Sequence, residues 1–176
     1  MSLRMIARLG NPVLLRPADP IDPDLVGAKD FQRLVDDMIE TMMEAPGVGL
    51  AAPQVHESIR LFVMDPGDRD DSDVGLEILV NPRLSVPEDG DYLSLWEGCL
   101  SIPGLRGETL RHAAVDVDYL DRNGEPRRRR FEGFAAAVVQ HEYDHLDGVL
   151  FLKRMPDLSL LAFDDQYARW FQDCGS

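Results

Sequence analysis

Gln140-His141-Glu142-Tyr143-Asp144-His145-Leu146-Asp147-Gly148 is the stretch that most restricts how this chain can fold, because it sets His-Glu-x-x-His inside a segment with helical periodicity. At about 100° of turn per residue, Phe134, Val138, His141, Glu142 and His145 fall within roughly 100° of arc, so two imidazoles and a carboxylate share a face with two apolar side chains. Two imidazoles one turn apart can bind one divalent transition metal, and Glu142 between them can reach a water on that metal as a general base. The competing reading is a solvated turn with two ordinary histidines. Against it stands the apolar run from Phe134 to Val139, which turns the histidine face inward, where imidazoles need partners.

A catalytic metal site usually has three protein ligands and one open position. Phe151 stands where a metzincin would carry its third His, and no Glu follows Glu142 to complete a thermolysin-like set. The third ligand is therefore expected from upstream, or is an Asp; Cys99, His56 and His112 are the candidates. Cys99, in Leu95-Trp96-Glu97-Gly98-Cys99-Leu100-Ser101-Ile102-Pro103, would alone read as a small core residue. Beside a His pair that lacks a third ligand, it reads as that ligand.

With 176 residues and 44% hydrophobic composition, the chain has enough apolar material for one core, so a single catalytic domain over 1-176 is expected. A net charge of −14 argues against nonspecific nucleic-acid binding. Arg127-Arg128-Arg129-Arg130 reads as a solvated strand among excess carboxylates rather than an RNA contact. No apolar run reaches the length of a membrane span and no targeting segment is evident, so no membrane partner and a cytoplasmic location are expected. Cys99 and Cys174 are then expected as free thiols or a metal ligand.

Leu9 to Arg16 and the prolines after it suggest an irregular arm. Phe31, Leu34, Val35, Met38, Ile39 and Met42 recur at helical spacing, with Asp30 as the expected N-cap and Pro46-Gly47 as the stop. Gly47-Val48-Gly49-Leu50-Ala51-Ala52-Pro53-Gln54 makes a poor helix; its glycines let a backbone or ligand approach closely, and Gln54 offers an amide to a developing oxyanion. Strands are expected at Ile59 to Met64, Glu77 to Val80 and Ala113 to Leu120, antiparallel, with an Asp-rich loop from Gly67 to Gly75 and a hairpin turn at Asp121-Arg122-Asn123-Gly124. His112 reads as a surface residue, Gly148 as the end of the histidine helix, and Leu158 to Phe171 as a final helix docked on the body.

Gly47 to Gln54, Glu97-Gly98-Cys99-Leu100-Ser101 and Gln140-His141-Glu142-Tyr143-Asp144-His145 resemble, in order and spacing, the three signature motifs of the peptide deformylases. The resemblance extends through Gly10-Asn11-Pro12 and the hairpin turn, to about Arg154. It implies an α+β fold with antiparallel sheets packed around a central metal-binding helix. The activity it implies is removal of the formyl group from the formylmethionine of new polypeptides, releasing formate, with metal-bound water as nucleophile.

Carried onto this chain, the resemblance makes Cys99, His141 and His145 the ligands of one divalent metal ion, ferrous in the cell, with Zn2+, Ni2+ or Co2+ as substitutes. Glu142 becomes general base and acid, while Gln54 and the N–H of Leu100 stabilise the oxyanion. Gly49 and Gly98 meet the substrate, Glu97 pairs with Arg106, and Val48, Leu95, Phe134, Ala137 and Val138 line the methionine pocket. N-formylmethionyl peptides are the implied partner, together with transient ribosome contact. Two features depart from the family pattern. Ala137 is smaller than the usual aliphatic residue, and the tail, with Asp164, Asp165 and Asp173, is acidic where bacterial relatives carry a basic ribosome-docking helix. The competing readings are a metallopeptidase cutting internal peptide bonds, which leaves Cys99 and Gln54 unexplained, and a catalytically silent, metal-stabilised peptide-binding protein.

Overall fold

Helix α2 (Gly133–Leu146) is buried almost all round: from Ala135 to Leu146 every side chain but Tyr143 is withdrawn from solvent, which makes it a core element rather than a surface helix. The computed structural model describes residues 2–67, 74–87 and 90–172. A five-stranded antiparallel sheet packs against α2, in the order β1 (Gly49–Ala51), β2 (Leu61–Met64), β3 (Glu77–Ser85), β6 (Ala114–Leu120) and β7 (Pro126–Glu132). A three-stranded antiparallel sheet holds β4 (Tyr92–Cys99), β5 (Ile102–His112) and β8 (Leu161–Phe163). The fold is α+β, with antiparallel sheets around the helix that bears the two histidines.

Strand β2 shows why the larger sheet needs two helices. Its side chains alternate: Phe62 and Met64 join the core around α2, while Leu61 and Val63 join the core under helix α1 (Lys29–Glu44). Both faces are covered, so the strand reads as an unbroken apolar run. On α1 the buried Phe31, Leu34, Val35, Met38 and Met42 form the expected stripe. Its N-cap is Ala28 and not Asp30, which lies in the first turn, where a carboxylate favours the helix dipole without capping. The helix stops at Glu44, just before Pro46-Gly47.

Several segments are more ordered than the sequence suggests. The arm before α1 holds a 3-10 turn at Pro12–Leu15 whose cap, Asn11, accepts from the N–H of Val13, and Leu14 is fully buried. Strand β3 runs past the expected Val80 because Asn81, at φ 49°, makes a bulge and the chain then resumes pairing with β6. The final segment is not one helix: a 3-10 turn at Leu158–Leu160 leads into strand β8, and only Asp164–Trp170 forms helix α3. Gly148 ends α2 at φ 69°, and a Cβ there would stand 2.7 Å from the carbonyl carbon of Leu15, so both conformation and space require glycine.

The hairpin between β6 and β7 turns at Asp121-Arg122-Asn123-Gly124, with Asp121 accepting from the N–H groups of Asn123 and Glu125. The four arginines of β7 each meet a carboxylate: Arg127 Asp121, Arg128 Asp118, Arg129 Glu77 and Arg130 Glu132. Among the described residues no helix is long and apolar enough to cross a membrane. Part of the Asp-rich loop, together with Asp173 and Cys174, lies outside the described residues.

Candidate metal centre and its cleft

Helix α2 presents His141, Glu142 and His145 from one side, and the end of β4 delivers Cys99 to them across the join between the two sheets. One donor atom each from Cys99, His141 and His145 lies within 4.8 Å of the others. The Sγ of Cys99 is 3.3 Å from Nε2 of His145, and the two imidazoles stand edge to face at 5.1 Å between centroids. The other upstream candidates are elsewhere: His56 is exposed in a left-handed turn, and His112 is half-buried against Tyr92 at 4.6 Å, so it is not the surface residue expected.

A buried chain of charges aims His141. Its Nδ1 is 2.7 Å from Oε2 of Glu97, and Glu97 also accepts from Thr109 at 2.6 Å and from Arg111 at 2.6 and 2.9 Å. Arg111 reaches on to Asp144 of α2 at 2.6 Å, and Asp144 takes Arg154 at 2.6 Å. Burial opposes ionisation of Glu97, but Arg111 and His141 outweigh it and hold its carboxyl far below the usual range. An ionised Glu97 only accepts, so Nδ1 of His141 carries the proton and Nε2 is left to a ligand bond. Glu97 does not pair with Arg106, as the family resemblance implied. Arg106 instead engages Asp164 at 2.9 Å, because the register sets it across from Gly98, on the opposite face of the strand pair from Glu97.

Burial also disfavours charge on His141, yet its bonds to Cys99 and Glu97 raise it well above the ordinary imidazole range. His145 is pushed well below that range by burial and by His141. A thiolate and two neutral imidazoles are a donor set suited to a borderline divalent metal, so these residues fit a cation. Glu142, next along the helix, is pushed up to about 7 by burial, and its buried Oε2 has no hydrogen-bond partner among the described residues.

These groups floor a cavity of about 510 Å³. Val48, Gly49, Gln54, Leu95, Glu97, Gly98, Cys99, Leu100, Phe134, Ala137, Val138, His141 and Glu142 all border it, whereas the buried His145 does not line it. Gln54 is oriented by its own loop: Oε1 accepts from the N–H of Ala51 at 2.8 Å, which turns the amide NH2 towards Ser101 at 3.2 Å and Cys99 at 3.7 Å. Sequence reasoning missed the supports Arg111, Thr109, Ser101 and Asp144 and the cleft-wall residues Trp96 and Asp164, and set Arg106 on Glu97 rather than in the cleft wall. The alternation Gly107, Thr109, Arg111 along β5 was the signal for the first two, since all three share the face of Glu97.

The model of the family described as polypeptide deformylase matches residues 3–160 of this chain. The chain is 38% identical over 175 residues, 94% of its own length and 94% of the relative's, to a peptide deformylase of Leptospira biflexa. Its fold superposes with a TM-score of 0.83 on a class I type b peptide deformylase from Acinetobacter baumannii, at 35% identity over 88% of this chain and 100% of that one. A structure of that Acinetobacter enzyme with Met-Ala-Ser bound gives a TM-score of 0.81 at 36% identity, over 88% of this chain and 99% of that one. With a thiol and two imidazoles converging beside a buried carboxylate, and a family model spanning most of its length, this chain belongs to the polypeptide deformylase family.

Proposed function

We propose that this protein removes the formyl group from the N-terminal formylmethionine of new polypeptides, and that Glu142 is its general base and acid. The observation that carries the reading is the convergence of Cys99, His141 and His145 within 4.8 Å, with Glu142 facing the same cavity. Those three residues would hold one divalent cation, ferrous in the cell, with zinc, nickel or cobalt as substitutes. Such a cation, when bound, supplies Lewis acidity and lowers the pKa of a water towards about 7.

Glu142 takes the proton of the attacking water on a carboxylate oxygen as the new C–O bond forms at the formyl carbon. It returns that proton to the methionine nitrogen as the C–N bond breaks, leaving formate and a free amine. The amide NH2 of Gln54 and the N–H of Leu100 donate to the formyl oxygen as it gains charge. Gly49 keeps the wall beside Glu142 free of side chain, so the substrate backbone can lie against β1. Val48, Leu95, Phe134, Ala137 and Val138 take the methionine side chain, and Ala137 leaves it extra room. Residues 1–176 act as one catalytic domain in the cytoplasm, meeting the ribosome transiently.

Anaerobic purification followed by elemental analysis and a formate-release assay on formyl-Met-Ala-Ser tests this. Stoichiometric transition metal with formate release is expected, and casein should stay intact; cleavage of casein with no formate released would sink the reading.

A further inference from the structure

Where the cleft opens to solvent, between β4, β5 and α3, it carries an ion pair that the reaction does not use. The guanidinium of Arg106 lies over Gly98, where a Cβ would stand 3.6 Å from its Nη1, one residue from Cys99. Pairing of β5 with β8 sets Arg106 against Ala162, and α3 then turns Asp164 back to meet Arg106 Nε at 2.9 Å. The ring of Tyr167 lies 5.4 Å from the same guanidinium and packs on Trp96 at 4.9 Å, so the C-terminal segment holds Arg106 from two sides. Arg106 and Asp164 both border the cleft and remain 41% and 52% exposed. On the deformylase reading, a formylated chain with its first side chain against the apolar wall has this exposed side of the cleft open to its following residues. Charges on its following residues therefore meet the pair.

Resting on the deformylase reading above, we propose that Asp164 is a specificity-determining residue. By engaging Arg106 it withholds a guanidinium from the substrate, so chains with Asp or Glu soon after the formylmethionine are disfavoured against neutral or basic ones. Removing the carboxylate frees Arg106 to accept an acidic substrate residue, and removing the guanidinium leaves Asp164 unpaired to repel one.

The test compares kcat/KM for two C-terminally amidated peptides, formyl-Met-Ala-Glu and formyl-Met-Ala-Ser, in the metal-loaded full chain. Asp164→Asn should raise the Glu-to-Ser ratio about three- to fivefold at low salt, the worth of one exposed charge pair, and the gain should shrink as salt screens it. Arg106→Gln should lower the ratio, and adding it to Asp164→Asn should erase the gain. Asp165→Asn, which removes a neighbouring exposed carboxylate that bonds Gln166 instead, should leave the ratio within error. An unchanged ratio in both Asp164→Asn and Arg106→Gln, with the neutral peptide still turned over, overturns the proposal, as does an equal rise in Asp165→Asn. Failure of the wild-type chain to release formate from the neutral peptide would instead strike the deformylase reading, and this inference with it.

Discussion

Arg111 grips Glu97 through two hydrogen bonds, Nε to Oε1 at 2.6 Å and Nη2 to Oε2 at 2.9 Å, with the two side chains 3% and 6% exposed. The same guanidinium reaches Asp144, so one buried arginine ties β4 to α2 and fixes the carboxylate that aims His141. Removing one partner of a buried pair costs about 3 to 5 kcal/mol, which for a chain of this size lowers Tm by roughly 6 to 20 °C. Arg111→Met is expected to show such a drop by calorimetry, whereas Arg106→Met, with an exposed guanidinium, should shift Tm by no more than about 2 °C. Equal shifts in the two variants would contradict the assigned pairing.

Gly49 stands against Glu142: a Cβ there would come within 2.8 Å of Glu142 Cγ and 2.7 Å of its Cδ. Gly49→Ala therefore has to displace the carboxylate while leaving the three donors of the metal centre in place. Turnover is expected to fall by about 10²-fold, the usual result of misplacing a reacting group by about 1 Å. Metal content by elemental analysis should stay at the wild-type level. Wild-type kcat/KM in this variant would mean that Glu142 acts from another position.

Glu142→Ala and Cys99→Ala separate chemistry from metal binding. The first should keep its metal and lose roughly 10²- to 10⁴-fold in formate release. The second should lose the metal itself, and a chelator should inactivate the wild-type chain reversibly. Full metal occupancy in Cys99→Ala would remove Cys99 from the ligand set.

Tyr119 donates to Glu77 at 3.1 Å, and its hydroxyl is pushed up to about 12 by burial and then by the neighbouring carboxylate. A phenol raised in the folded state stabilises the fold fully below its ordinary value of about 10, and the contribution is lost as pH rises through about 12. Ultraviolet titration of tyrosinate should thus show a phenol that ionises late. Tyr119→Phe should remove that step and flatten the fall in stability over the same pH range.

Helical positions were the most legible part of the chain. The five apolar residues of α1 and the His-Glu-x-x-His face of α2 are dictated by a local repeat of 3.6 residues, which tertiary contacts use but do not create. Strands β4, β5 and β8 were not legible: β5 carries Pro103, Gly104 and Gly107, which argue locally against a strand, and pairing with two neighbours overrides them.

The sequence by itself determined that two imidazoles and a carboxylate share one helix face, and its three motifs identified the family, because both signals are carried by residues close together along the chain. Which arginine meets Glu97 was decided only by the tertiary structure. Arg106 and Arg111 are both within reach along the chain, but strand side chains alternate faces, and the bulge at Cys99 sets a register that puts Arg111 on the face of Glu97 and Arg106 at the mouth of the cleft. A shift of one residue would have exchanged them, and no local pattern encodes that register.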